Sequence, residues 1–521
     1  MTIAALSLPM ILSAQSAVDA YNLSQSEQRG TARFMAMGGA FTALGGDLSA
    51  LNQNPAGIGI YRRSEIGLTL DVSPRSITST TSTKTINKRE TKLNCNNFGY
   101  VGTVQLDGAM RTFSWGASFN RVASFDRVYS VYNGTASSSL TDYIAYFTEG
   151  TSPDVLGFDN DYNPYWDSDA DWLSILTYNS YLINPNGADS YKYKGLYGNG
   201  TVGDALSMVR ESGYIDEYAI DFGGNIEDVV YWGAGFGITD LSYRQDSNYS
   251  ESLANPYVDG EQVDARNYDL YNSRVITGSG WNFKAGVILK PVNELRIGLA
   301  IHTPTWYTLS QSSYADIYNP DESRMSETRP DPYVEYTENA YYNFKLNTPW
   351  KLMAGVAAVI GNSAIVSFDY ERQAYNDMSL KYQDSWYDYV SADNENDDIK
   401  NYYKSTNILR LGAEYRVTPR FSVRAGYNYT SSNVKQEADN GSMQIFTAGM
   451  NPSYVMHKDA NAVSFGLGYR YQQFYIDGVY VYRNRKSTYH AYTDVPGMII
   501  APKAELSEKT HSIVLSLGFK F

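Results

Sequence analysis

Phe421-Ser422-Val423-Arg424-Ala425-Gly426-Tyr427-Asn428-Tyr429-Thr430 decides the fold. Phe421, Val423, Ala425, Tyr427 and Tyr429 alternate with Ser422, Arg424, Gly426, Asn428 and Thr430. Successive side chains of a strand point to opposite faces, so this stretch is a strand with one apolar and one polar face. About ten residues is also the length that crosses a bilayer at a tilt. The pattern recurs in Ile66, Leu68, Leu70 and Val72, in Val463, Phe465, Leu467 and Tyr469, and in Ile513, Leu515, Leu517, Phe519 and Phe521.

Fourteen segments of this kind are found, near 64–73, 96–107, 110–124, 214–223, 228–242, 268–290, 293–310, 338–360, 363–375, 404–417, 420–432, 461–471, 473–486 and 508–521. Their connections alternate between short and long. The short ones are Asp107-Gly108, Gly223-Gly224-Asn225, Pro291-Val292, Gly361-Asn362, Thr418-Pro419 and Gln472. Soluble sandwiches have shorter strands and similar turns at both ends. Long strands, an even count and one-sided long loops predict an all-β fold, a 14-stranded antiparallel transmembrane β-barrel of the Gram-negative outer membrane. Phe521 closes the last strand.

Composition agrees and excludes other classes. The 521 residues carry 42 Lys+Arg against 56 Asp+Glu, a net −14 that disfavours nucleic acid as a partner. One cysteine, Cys95, rules out a disulfide framework and a cysteine-based zinc site. No run of eighteen apolar residues exists, so no ordinary transmembrane helix is written here. The 47 tyrosines suit the aromatic girdles of a barrel, and Tyr100, Tyr427, Tyr429, Tyr469, Tyr471, Tyr480 and Tyr482 sit on apolar stripes. The opposite faces carry Asp71, Asp221, Lys284, Arg296, His302, Lys345, Asp369, Glu371, Arg410, Glu414, Arg424, Arg470 and Asp477. Charges facing lipid would be costly, so these are assigned to the lumen. Both signs together predict salt-bridged walls around something packed, not an ion filter of one sign.

At the N-terminus, Ile3 to Leu12 is apolar and Ser13-Ala14-Gln15-Ser16-Ala17 is small, so 1–17 reads as a signal peptide whose basic start is missing. Residues 18–63 form the plug, and 64–521 the barrel, with a large extracellular insert at 125–213. The plug contains Gly38-Gly39-Ala40 and Gly45-Gly46-Asp47, and it ends in Asn54-Pro55-Ala56-Gly57. Those residues permit tight turns and close backbone approach. No Gly-Lys-Ser/Thr follows, so it is no phosphate loop.

The stretch Ala36 to Phe41, followed by Gly45 to Gly57, resembles the N-terminal hatch of the FadL/TodX-type outer-membrane transporters of long-chain fatty acids and other hydrophobic molecules. That family's hatch ends in Asn-Pro-Ala, matched by Asn54, Pro55 and Ala56. Gly223 to Ile226, Leu295 to Thr305, Thr348-Pro349-Trp350 and Leu409 to Tyr415 are similar as well. The resemblance implies uptake of hydrophobic molecules by a monomeric barrel, with fatty acids and outer-membrane lipids as partners. It also implies a hatch that shifts to open a route through the wall toward the bilayer. Gly38, Gly39, Asn54, Pro55 and Ala56 are then gate residues. For a fatty acid, cations in an otherwise apolar lumen would meet the carboxylate, and Lys284, Arg296, Arg410 and Arg424 are the candidates.

In the long insert, Trp172, Ile175, Leu176 and Asn179 have helical spacing behind Asp171 as N-cap. A second helix is expected over Ser139 to Phe147. Trp172, Ile175 and Leu176 either line a greasy landing groove at the outer mouth or pack inside a lid. Asp167-Ser168-Asp169-Ala170-Asp171 fails as an EF-hand, since Trp172 stands where Gly is needed; a looser calcium loop is the alternative to solvated acid. No cofactor is implied. His302, His457, His490 and His511 flank no Gly-x-Ser-x-Gly elbow, with the last starting a strand and His457 and His490 in outer loops, so no enzyme is read. The competing function is a surface receptor or adhesin, for hemin or another ligand, that uses the barrel as an anchor.

Overall fold

The computed structural model describes residues 15–187, 189–258, 260–320, 333–337, 339–361, 363–385 and 388–521. Most of the expected leader therefore lies outside the described residues. Fourteen antiparallel wall strands run β1 (Glu65–Thr80), β2 (Thr85–Gln105), β3 (Met110–Ser124), β4 (Val202–Ile226), β5 (Val230–Ala254), β6 (Ala265–Val292), β7 (Leu295–His302 and Trp306–Asn319), β8 (Ala340–Asn347 and Lys351–Ile360), β9 (Ala364–Gln373), β10 (Thr406–Arg416), β11 (Phe421–Thr430), β12 (Tyr454–Tyr471), β13 (Phe474–His490) and β14 (Lys503–Lys520). β14 pairs back onto β1 from Glu65↔Lys520 to Thr80↔Glu505, which closes the barrel.

β5 explains both the pattern and where its reading stopped short. Its outward residues Trp232, Ala234, Phe236 and Ile238 are apolar, then Asp240, Ser242, Arg244, Asp246 and Asn248 continue the same face as polar. The strand leaves the hydrocarbon but keeps its ladder, so strands reach 25 and 28 residues where apolar alternation marks fewer. The inward face grades from Gly233, Gly235 and Gly237 to Leu241, Tyr243 and Tyr249. The outward band is exposed, with Leu68 at 40 %, Ile220 at 51 % and Ile513 at 62 %. Such a continuous apolar belt on a closed barrel is a lipid-facing surface. Among the described residues no helix is long and apolar enough to cross a membrane.

Three local expectations change. Gly223 and Gly224 lie within β4, and the turn is Glu227-Asp228, both with positive φ. The glycines are there for the plug, since Ile58 packs on Gly223 and Gly59 on Gly224. Strand β7 breaks at Pro304 and β8 at Pro349, because proline cannot continue the ladder. Each break switches the inward parity. Phe344 and Leu346 are fully buried, so Lys345 faces outward over the Tyr389 ring at 4.1 Å, not into the lumen. Part of the 125–213 insert is wall, as Arg127–Asn133 pairs with β4 above β3.

Candidate functional site

Residues 15–63 fill the bore. Helix α1 (Ala17–Leu23) is capped by Ser16 with a reciprocal Asp19 contact. It lies in the outer half of the barrel, where Tyr21 stacks on Tyr403 at 4.9 Å and Asp19 pairs with Arg274 at 2.7 Å. The chain then descends to α2 (Ala32–Ala36), packed on β11 to β14, and crosses to α3 (Ala50–Gln53) and the 3-10 turn Pro55–Ile60, packed on β3 to β6.

The gate residues expected from sequence lie in this plug. Gly38 and Gly39 have φ of +63° and +76°, a conformation that side chains resist. A Cβ on Gly38 would sit 2.7 Å from the Tyr427 carbonyl and 2.8 Å from that of Leu411. Asn54 caps the 3-10 turn by accepting from the Ala56 amide at 3.0 Å, and its Nδ2 donates to the Thr42 carbonyl at 2.6 Å. Pro55 needs no amide partner at the first turn position. The wall answers with glycines of its own. Gly233 lies against Pro55, Gly286 against Asn54, Gly298 against Thr42, Gly412 against Met37 and Gly426 against Gly38. At four of them the missing side chain lets plug backbone meet wall backbone, and at Gly286 it makes room for the Asn54 side chain, so the seal is a ring of glycines that single-strand alternation does not single out.

Charge pairs tie the plug to the wall. Arg33 binds Glu414 at 2.8 Å, and Arg424 bridges Glu414 and Asp477 at 2.7 and 2.6 Å. The Thr42 amide donates to Asp369 at 2.8 Å. In the upper part of the plug, Glu27 accepts ion pairs from Arg29, Arg75 and Arg483 at 2.7, 3.2 and 3.1 Å. Glu508 beside it holds Arg75, Arg127 and Arg485.

Between α1 and the lower plug lies a chamber of about 230 Å³. Tyr21, Glu27, Arg29, Arg75, Lys284, His302, Lys351, Glu371, Arg410, His457, Arg483 and Arg485 line it with smaller polar groups. An otherwise apolar lumen is therefore not what the chain builds. Of the four lumen cations expected to meet a carboxylate, Lys284 is bound by Glu217 and Asn52, Arg424 by two acids, and Arg296 donates to the Leu44 carbonyl at 2.8 Å. Arg410 binds Glu371, yet its Nε and one terminal nitrogen have no acceptor among the described residues. Only Lys284 and Arg410 of the four face the chamber. Lys351, Arg75, Arg483 and Arg485 also face it and were not singled out by sequence, because inward parity alone ranks no cation above another.

The wall has a seam. The β2–β3 ladder runs from Gln105↔Thr112 only to Asn97↔Asn120. Beyond it, side chains span the strands: Arg121 donates to Asn94 at 3.1 Å and Lys92 meets Asp126 at 3.2 Å. A bulge at Arg121/Ala123 turns β3 away at this height.

The outer insert closes over the mouth. Helices α4 (Leu140–Thr148) and α5 (Trp172–Asn179) form where expected, with Ser139 and Asp171 as N-caps. Trp172 at 4 % and Ile175 and Leu176 at 0 % exposure are packed in one cluster with Tyr489 and Tyr492. They face neither the chamber nor the smaller cavity beside α1 and are packed within the lid. Asp171 is spent on the Ser174 amide at 2.9 Å, and among the described residues no cluster of three metal-ligating side chains occurs. His457 and His490 lie on strand ends, not in loops. His457 Nδ1 is 2.7 Å from Ser487 Oγ, but among the described residues Nε2 meets no acid to orient it.

A closed barrel with a lipid-facing belt and a plug sealed in its bore defines a transmembrane β-barrel of the plugged type. Its overall form is that of the FadL/TodX-type channels. A Pseudomonas aeruginosa FadL homologue is similar over 95 % of this chain and 99 % of its own, with a TM-score of 0.54 and 14 % identity. The Pseudomonas putida toluene transporter TodX is similar over the same shares, with a TM-score of 0.51 and 14 % identity. At that identity the likeness is one of fold. No family model and no curated protein matches the chain in sequence.

Proposed function

We propose that the chain is a hatch-gated channel of the Gram-negative outer membrane for uptake of hydrophobic molecules, with long-chain fatty acids as the leading substrate. The observation that carries this reading is a plug fitted to a glycine ring beneath a chamber in the bore. A receptor or adhesin that uses the barrel only as an anchor needs neither. The names of the similar structures, a FadL homologue and a toluene transporter, point the same way. The β2–β3 seam is the proposed side exit, because side chains and not a ladder hold it shut. The polar chamber favours an amphiphile with an anionic head over a bare hydrocarbon, since two nitrogens of Arg410 have no acceptor among the described residues and an anion can supply one where a hydrocarbon cannot.

Deletion of residues 22–57 should convert closed barrels in planar bilayers into open pores. An unchanged, closed conductance would defeat the gate. Mass spectrometry of lipids extracted with the protein from native membranes should return a recurrent free fatty acid. Repeated mild extraction without one would favour the receptor.

A further inference from the structure

Every strongly charged group in the chamber belongs to the wall except those of one short plug segment, Glu27 and Arg29. Glu27 is 12 % exposed and reaches across to two wall strands, to Arg75 on β1 and Arg483 on β13. It also fixes the descending arm of the plug, since its amide donates to the Val122 carbonyl at 2.9 Å. The partners differ in what else they hold. Arg75 also has Glu508 at 3.5 Å, and Arg29 has Asp71 at 3.2 Å. Among the described residues Glu27 is the one acid paired with Arg483.

We propose that Glu27 is an internal stand-in for the anionic group of the ligand, and that exchange of one for the other releases the upper arm of the plug. The argument is one of charge balance. If the arm moves, Arg483 loses its one ion pair, and Arg75, Arg127, Arg483 and Arg485 are left to share Glu508, an excess of positive charge that is unfavourable without another anion. An incoming carboxylate offers the same arginines two acceptor oxygens in place of those of Glu27. The plug is thereby held shut by a group that only an anion can replace. A neutral molecule of the same length has nothing to offer Arg483, so the exchange selects the ligand as it opens the path. This inference rests on the channel reading and adds the chemical class of the trigger: a carboxylate, carried by an amphiphile or by a small organic acid.

The test uses the full chain in lipid nanodiscs, titrated calorimetrically with octanoate, octanol and propionate. Glu27→Gln keeps the shape and removes the competing charge. It should bind octanoate at least tenfold more tightly than the native chain, with octanol unchanged. Arg483→Gln should lose octanoate affinity tenfold or more. A propionate gain equal to that of octanoate would identify a small organic acid as the source; a gain for octanoate alone, an amphiphile. Equal octanoate affinity in native and Glu27→Gln proteins, or a parallel gain for octanol, overturns the exchange. If Glu27→Gln fails to insert, native single-channel records decide: more openings with octanoate than with octanol support it, and equal openings refute it. A 22–57 deletion that stays closed would instead sink the channel reading itself.

Discussion

Gly298→Ala is expected to unseat the hatch and leave the wall intact. Gly298 sits on β7, paired to Ile288 and Gly355 on its neighbours, and its missing side chain is filled by hatch backbone. A Cβ there would lie 2.5 Å from the Thr42 carbonyl carbon and 2.7 Å from Ala43 Cα. Carbon atoms rest at about 3.5–4.0 Å, so the plug must retreat by about 1 Å. Neither contact is the tip of a flexible side chain, so no rotamer change relieves it. Overpacking of this kind costs about 1–3 kcal/mol, which is about a 5- to 150-fold shift toward the displaced hatch. Gly478→Ala is the control, since nothing lies within 4 Å of a Cβ there. Single-channel recording in planar bilayers should show the Gly298 variant opening at least fivefold more often than either the control or the native chain. Protease should also reach the 36–57 segment sooner. A Gly298→Ala barrel that inserts normally and stays as closed as the Gly478→Ala barrel would refute the idea that the glycine ring seats the plug.

Glu414→Gln should weaken the plug from another side, because it strips a buried carboxylate from both Arg33 and Arg424. Breaking such a pair costs about 3–5 kcal/mol, and heat-induced unfolding on semi-native gels should move to lower temperature. Leu515→Arg places a charge on the lipid-facing belt, where it costs about 2–4 kcal/mol, so folding into vesicles should need less urea to reverse. Trp172→Ser and Leu176→Ser remove buried lid contacts at about 2–5 kcal/mol each; hydrogen exchange across 140–179 should speed up, and unchanged exchange would restore the groove. In the same lid, burial pushes the Asp142 carboxyl up to about 7, against hydrogen bonds from the Ser139 and Tyr197 amides. A carboxyl raised in the folded state binds a proton that the unfolded chain has already lost, so lid stability falls as pH rises from about 4 through 7. Exchange of α4 amides, corrected for intrinsic rate, should accelerate over that window in the native protein and not in Asp142→Asn.

Strand number, barrel closure and the outward belt are legible in the chain because they rest on period two, a local property. Phe421 to Thr430 alone states which face meets lipid. Asn54-Pro55-Ala56 likewise marks a tight turn, because its backbone demands are local. The lid helices announce themselves through caps and 3.6 spacing at Ser139 and Asp171. Lys345 shows the limit: one proline reverses the parity of all that precedes it, and a pattern read straight through Pro349 assigns the wrong face.

What the sequence by itself determined is the barrel and, along each unbroken strand, which face is apolar. Tertiary structure alone decided which wall glycines the plug rests on, which arginines are tied and which face the chamber. The reason is physical. Facing is fixed by the next residue along one strand, whereas Glu27 and Arg483 become partners only after fourteen strands have closed around the segment that carries Glu27.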